Sequence, residues 1–407
     1  MIKRIVACSY EAPFLEKNGD HMRIRSIHDF ISSETHRTLF CFCLGDTSSI
    51  IERNGSVYIA RPRKLYNMIR KVLPFIRNDL LQDSLMKLSQ LVFDEPFLIL
   101  QMLESANATD TFLIHGDMSI APAILRLFGF KRTIVFDSLA NYSQTLYMHV
   151  HRVSLFRKAP NYLRLGIYLA IYRLQLRFCN KVLYPSTFDV RNSREMYHLE
   201  KHNKIAIVPN IFTIAYEDLE LGRLRQQYRQ KLNIENDTVV LVLAAGGRGK
   251  MNKEAVDTVV RLSEKELSKE HELLLIVTGP WLDYRKKTNL PSIFTGIVER
   301  SELRGILAAS DVALAPMFEG SGTLLKVLDY LSSGLPIVAT PVSLAGIPAN
   351  WLSENRIYLV RNQFDFPSKI RQAIVDNVYN QRVAISKDLS CSAYRYFSDS
   401  LRDLLRT

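Results

Sequence analysis

Two tryptophans and five cysteines in 407 residues are the scarcest features of this chain. Cys8, Cys41, Cys43, Cys179 and Cys391 are scattered and odd in number, and the lone Cys41-x-Cys43 pair has no second pair to match it. Neither a disulfide framework nor a zinc site follows from such spacing. Long apolar runs are also missing. The longest, Leu165 to Leu176, is broken by Arg173 and is too short for the ~20 residues that cross a bilayer. Met1-Ile2-Lys3-Arg4 leads straight into a strand-like run without the apolar core of a secretory leader, so a reducing cytoplasm is the expected compartment. Internal repeats and low-complexity linkers are absent as well. Acid is missing locally: no Asp or Glu occurs between Asp137 and Asp189, or from Arg61 to Arg77.

What is present fits a globular protein, with 47% hydrophobic and 23% charged residues. The length predicts two domains. The net charge of +12 points to anionic partners: nucleic acid, acidic membrane or phosphorylated ligands. In the acid-free stretches the charge is arranged. Leu65, Met68, Ile69, Val72 and Leu73 fall at helical spacing among Arg61, Arg63, Lys64, Arg70, Lys71 and Arg77. Arg152, Arg157, Lys158, Arg164, Arg173, Arg177 and Lys181 interleave with Tyr162, Leu163, Leu165, Ile167, Tyr168 and Leu169. Helices of this kind can lie on an anionic membrane surface. The alternatives are a merely solvated face, or nucleic acid, for which no compact binding motif accompanies the charge.

The chain is organised around Ala313 to Pro341. This stretch reads as a buried strand (Val312 to Pro316), a Gly/Ser turn (Glu319 to Gly322), a helix (Thr323 to Ser332), a stop at Gly334 and a second buried strand (Pro336 to Thr340). Gly320, Ser321 and Gly322 let backbone crowd a ligand, and the following helix offers unpaired N–H groups to an anion. Lys326 in the first turn opposes the helix dipole at a cost of a few tenths of a kcal/mol unless something negative shares the site. Strand, glycine turn and helix are common to every doubly wound α/β protein, so geometry alone leaves the ligand open.

Other strands are predicted at Ile5–Ser9, Thr38–Leu44, Ser56–Ala60, Thr111–Ile114, Thr133–Phe136, Thr238–Ala245 and Leu273–Thr278, each a short apolar run. Helices are expected from His21 through Phe30, over Glu302–Leu307 and over Tyr394–Leu405. The run Gly246-Gly247-Arg248-Gly249-Lys250-Met251-Asn252-Lys253 is not a nucleoside-triphosphate P-loop. Ala244 stands where that motif needs glycine, and Met251 where it needs a hydroxyl.

The run GSGTLLKVLDYLSSGLPIVAT resembles the donor-binding segment of retaining glycosyltransferases of family 4, most closely the branch with SGT-x-x-K before the helix acid. The similarity is strong from Thr238 to Thr340 and weak before Asn180. It implies a GT-B fold: α/β, two Rossmann-like doubly wound parallel-sheet domains facing across a cleft. The expected boundaries are 1–212 for an acceptor-binding domain, 213–388 for a nucleotide-sugar-binding domain, and 389–407 for a helix returning to the first domain.

The resemblance also implies roles. Arg248 and Lys253 would clamp the donor pyrophosphate, with Lys250 a rival for the lysine. Lys326, Ser321, Gly322, Thr323 and Gly247 would line the donor site. Gly296 and Val298 would lie under the nucleobase, and Asp329 would hold the ribose. Glu319 would orient donor hydroxyls, although the family spaces two glutamates seven residues apart and Glu319 and Asp329 have nine residues between them. Asp137 would face the donor sugar, with Gly19 and Arg23 in the family's N-terminal glycine loop or an ordinary β–α turn. His115 reads as a structural histidine.

The implied activity is transfer of a sugar from a UDP- or GDP-sugar to a lipid-linked or glycan acceptor. Configuration would be retained and no metal or other cofactor used. The enzyme would sit peripherally on the inner face of the membrane and bind no nucleic acid. The alternatives are another GT-B enzyme, such as a sugar-nucleotide epimerase, and a non-catalytic basic α/β module binding an anionic polymer or membrane.

Overall fold

The computed structural model describes residues 4–9, 19–35, 39–45, 48–62, 109–116, 119–138, 155–197, 204–211, 216–262, 267, 272–319, 322–353, 357–376 and 381–406. The chain divides into two units, Met1–Val208 with Ser398–Thr407, and Pro209–Phe397.

The first unit is built on strands β1 (Arg4–Ser9), β2 (Leu39–Gly45), β3 (Ser49–Arg53), β4 (Ser56–Pro62), β5 (Thr109–Gly116), β6 (Thr133–Ser138), β7 (Lys181–Tyr184) and β8 (Ile205–Ile207). They form one sheet in the order β3-β4-β2-β1-β5-β6-β7-β8. All pairs are parallel except the β3–β4 hairpin. That hairpin turns at Asn54 and Gly55, with φ of 49° and 75°, the left-handed pair that a tight two-residue turn demands. Ile5, Val6, Ala7 and Cys8 are all buried, as expected of a strand inside a parallel sheet.

Helices α1 (Gly19–Thr35), α2 (Ala121–Leu127), α3 (Leu155–Phe178) and α4 (Thr187–Tyr197) belong to this unit. On α3 the buried residues Leu165, Tyr168, Tyr172 and Leu176 recur every three or four positions and make one apolar stripe. Arg173, Leu174 and Arg177 are exposed, as are Tyr162 and Ile167. Among the described residues no helix is long and apolar enough to cross a membrane. The basic segment read over Arg61–Arg77 lies outside the described residues beyond Pro62.

The second unit contains helix α5 (Asp218–Lys231) and then strands β9 (Val239–Ala244), β10 (Leu273–Thr278), β11 (Ser292–Gly296), β12 (Val312–Ala315), β13 (Ile337–Ala339) and β14 (Ile357–Leu359). Their order is β11-β10-β9-β12-β13-β14, with every pair parallel. In a doubly wound sheet the order reverses at one point, here between β9 and β12, and ligands bind outside the carboxyl ends of the strands there.

Between the strands lie α6 (Lys250–Val259), α7 (Arg300–Ala309), α8 (Leu325–Ser332), α9 (Ala349–Ser353) and α10 (Phe366–Val375). The final helix, α11 (Arg382–Arg406), begins well before the expected Tyr394, and its last residues group with the first unit. Arg382 at its start is 1% exposed. Its guanidinium donates to the carbonyls of Ser310, Leu307 and Ser333 at 2.8, 2.9 and 3.1 Å. These carbonyls lie at the ends of α7 and α8, where the regular helical bonds run out; that of Leu307 also accepts from Ser310 N at 3.3 Å. Gly334, at φ +61°, ends α8, and a Cβ there would stand 2.3 Å from the Arg382 carbonyl.

Candidate donor site

At the switch point of the second unit, β9 runs into Ala245-Gly246-Gly247-Arg248-Gly249 before α6 begins at Lys250. Its position is fixed from the side. Trp281 Nε1 donates to the Ala245 carbonyl at 2.7 Å. Gly279, at φ +106°, lies so close that a Cβ would be 1.9 Å from the same oxygen.

On the other side of the reversal, β12 leads through Pro316, Met317, Phe318 and Glu319. The Ser343 hydroxyl donates to Ala315 O at 2.5 Å and accepts from Met317 N at 3.2 Å, and Thr340 Oγ1 donates to Met317 O. Gly322 has φ +76°, and Thr323 Oγ1 donates to Gly346 O at 3.3 Å. Among the described residues no side chain caps α6 or α8. Two helix N-termini, each with orphan N–H groups and the positive end of a dipole, thus follow the two strands that flank the reversal.

Asn252, on the first turn of α6, joins the two sides. Its Nδ2 donates to Gly247 O at 2.9 Å, and its Oδ1 accepts from Lys326 Nζ at 2.6 Å. The Lys326 side chain is half-buried, and burial of its amine pulls the ammonium down to about 7. Lys250 ties the same segments together nearer the surface, reaching Glu319 at 3.1 Å and Glu254 at 3.5 Å. Gly247 and Lys326 are thus joined through Asn252, and Lys250 and Glu319 form a second contact between the same two segments.

Arg248 and Lys253 turn elsewhere. Arg248 is exposed, lies over the Trp281 ring and pairs with Asp283 at 3.1 Å. Lys253 pairs along its own helix with Asp257 at 3.0 Å. That hydrogen bond raises the lysine, and the Asp257 carboxyl sits low because Lys253 and Tyr284 outweigh its partial burial. Asp329, expected at the ribose, is 5% exposed and is gripped by both terminal nitrogens of Arg300, one of them at 2.8 Å. Gly296, at φ +80°, ends β11 and accepts from Gly279 N at 2.7 Å. Val298, half-buried, packs on the core beyond it. Ser321 and Gly320 lie outside the described residues.

Asp137 and Arg23 sit in the first unit and do not line an open surface. Asp137 is fully buried, and Arg23 donates to it through Nη2 at 2.7 Å and Nε at 3.0 Å. His115 Nδ1 meets its other oxygen at 2.8 Å. Burial would raise the Asp137 carboxyl, but Arg23 and His115 outweigh it and hold the group below its ordinary value. The chain of contacts continues from His115 Nε2 to His28 Nε2 at 3.1 Å and from His28 Nδ1 to the Tyr58 hydroxyl at 3.3 Å. Arg23 Nη1 also donates to Val208 O at 2.7 Å. The carboxylate expected to face a sugar is thus occupied within the protein, and His115 has the structural setting read from the sequence. Gly19 opens helix α1.

Asn252, Arg300, Asp257 and Asp283 form these contacts without having been singled out from the sequence. Only Asn252 carried a usable signal, as an uncharged polar residue within the first turn after a glycine loop.

Residues 240–378 match the family model described as glycosyl transferases group 1. No curated protein matches the chain. Among solved structures, the glycosyltransferase WaaG, involved in lipopolysaccharide biosynthesis, is 15% identical with a TM-score of 0.63, covering 96% of this chain and 95% of WaaG. Sucrose-phosphate synthase from Thermosynechococcus elongatus is 12% identical with a TM-score of 0.66, covering 99% and 98%. HepE of Anabaena, solved with UDP and glucose, is 13% identical with a TM-score of 0.61, covering 99% of each chain. The chain has the GT-B fold of these glycosyltransferases, and residues 240–378 of its second unit are similar to the group 1 glycosyl transferases.

Proposed function

We propose that the protein transfers a sugar from a nucleoside diphosphate to a lipid-linked or glycan acceptor, with retention of anomeric configuration and without a metal. The observation that carries this reading is the Lys326 amine, half-buried beside the Gly247 loop with the neutral Asn252 oxygen at 2.6 Å, where two helices start without side-chain caps. Orphan N–H groups and a cation at one point suit a diphosphate. The complex of HepE with UDP and glucose supports a uridine donor.

In the reaction the bond between the sugar's anomeric carbon and the diphosphate oxygen breaks. A bond from the acceptor hydroxyl forms on the same face, and the acceptor proton passes to the leaving diphosphate oxygen. Charge grows on that diphosphate as the bond breaks, and fixed cations lower the barrier by stabilising it. Lys326, partnered by the neutral Asn252 amide, supplies such charge, while Lys250, Arg248 and Lys253 would have to leave Glu319, Asp283 and Asp257 to join it. Glu319, held by Lys250, would orient donor hydroxyls. Gly296 and Val298 would underlie the base.

The acceptor side rests on α3. Its outer face exposes Tyr162, Ile167 and Leu174 together with Arg173 and Arg177, and no acid occurs in Leu155–Phe178. A helix face of that composition suits an anionic membrane leaflet and supports the reading of a peripheral enzyme on the cytoplasmic side.

A thermal-shift panel with UDP, GDP and oligonucleotides is the first test, and stabilisation by a nucleoside diphosphate alone is expected. Radiolabelled nucleotide sugars incubated with lysate should then deliver label to the lipid or glycan fraction. Stabilisation by oligonucleotides, or by nothing in the panel, would overturn the reading.

A further inference from the structure

Lys326 differs from the other cations around the switch point in the company it keeps. Lys250 has Glu319 and Glu254, Arg248 has Asp283, and Lys253 has Asp257. Each of these is exposed and already neutralised by a carboxylate. On α8 itself the nearest acid, Asp329, is taken by Arg300 from α7. The Tyr330 hydroxyl accepts from Ala244 N at 2.7 Å. Lys326 alone of this group is partnered by an amide, and that amide belongs to Asn252, whose other end holds the Gly247 carbonyl. A neutral oxygen can orient an ammonium without cancelling its charge. A carboxylate at the same place would orient it and cancel it.

We propose that Asn252 is a positioning residue for donor binding: it fixes the Lys326 amine against the Gly247 loop while leaving its charge to be satisfied by the incoming diphosphate. This deepens the reading above and rests on it. The consequence is a proton linkage. In the free protein the buried amine is held low, near 7. A diphosphate beside it restores the charged form, because an opposite charge within a few ångströms favours ionisation. Nucleotide binding above neutral pH therefore takes up a proton at Lys326, and affinity falls as pH rises.

The experiment is calorimetric titration of the full chain with UDP and with GDP from pH 7.5 to pH 9, in buffers of different ionisation enthalpy. In this range the terminal phosphate, with a pKa of about 6, is already ionised. The wild type should take up close to one proton per nucleotide at pH 8, and its Kd should weaken roughly 20-fold between pH 7.5 and pH 9. In Asn252→Asp the carboxylate keeps Lys326 charged in the free protein. Uptake should then vanish and the Kd become flat with pH, and weaker at pH 7.5 than in the wild type. Asn252→Ala should bind more weakly yet still take up the proton.

Binding by the wild type without proton uptake would overturn the proposal and leave the donor site standing. The same would follow from unchanged uptake and slope in Asn252→Asp. Failure of the wild type to bind either nucleotide would overturn the donor-site reading itself, and the proposal with it.

Discussion

Replacing Lys326 by Met should make the free protein more stable while removing its donor binding. Methionine keeps the length and apolar stem of the lysine and deletes the amine. The amine is a burden to the free fold, since burial pulls it from 10.5 to about 7. At about 1.4 kcal/mol per pH unit that drop corresponds to at most ~4–5 kcal/mol at neutral pH. The side chain is only half-buried, so solvent screens part of this and a gain of ~2 kcal/mol is expected.

The sign with pH follows from the depressed value. Between about 7 and 10.5 the unfolded chain binds more protons at this site than the folded one, so wild-type stability rises across that window. The advantage of the variant must shrink correspondingly by pH 10. Denaturant unfolding followed by tryptophan fluorescence isolates the effect, because Trp281 and Trp351 are the only two tryptophans and both are buried in the second unit. UDP or GDP should stabilise the wild type and leave Lys326→Met unmoved. A variant less stable than wild type at pH 7, or one whose advantage does not fall with pH, would refute the account of Lys326 as a buried, uncompensated amine.

Three further outcomes follow from the geometry. Asp137→Asn should cost ~3–5 kcal/mol, because it leaves Arg23 buried without its carboxylate. Far-UV circular dichroism would show this as early loss of part of the transition, and a fully stable variant would contradict the buried pairing. Gly279→Ala should lower the melting temperature of the second unit by about 4 °C or more, since the added Cβ would meet the Ala245 carbonyl at 1.9 Å. Calorimetry reads the change directly. Reversing Arg173 and Arg177 to Glu should weaken sedimentation with anionic vesicles by more than tenfold, at ~1 kcal/mol per basic residue near the surface; undiminished sedimentation would remove α3 from the membrane face.

The buried strands were readable because each is a continuous apolar run. Leu273–Thr278 is a strand with those same bounds, and Gly334 ends its helix as its left-handed φ requires. Ser49–Arg53 escaped notice although the following Asn54-Gly55 is the strongest short hairpin signal a sequence carries; its exposed Ile50, at 76%, blurs the alternation. The start of α11 was placed too late because Arg382 is charged. Its burial depends on carbonyls more than 45 positions away, such as that of Ser333.

The site was legible in outline and not in its pairings. Glycine loops, Lys326 and the strand ends could be read locally. What each charge does is decided by partners far along the chain: Arg23 and Asp137 are 114 positions apart, Lys326 and Asn252 are 74 apart, and Arg300 and Asp329 are 29 apart. No local periodicity encodes contacts of that range. Asp137, read as a strand-end acid facing the donor sugar, is buried and bonded to Arg23 and His115, partners that its own strand does not announce.

The most direct measurement is a structure of the full chain with UDP or GDP bound. The diphosphate is predicted within hydrogen-bonding distance of Lys326 Nζ and of the backbone N–H groups opening α6 and α8, with Asn252 still holding Gly247. A nucleotide bound away from the β9–β12 switch point, with Lys326 untouched, would contradict it.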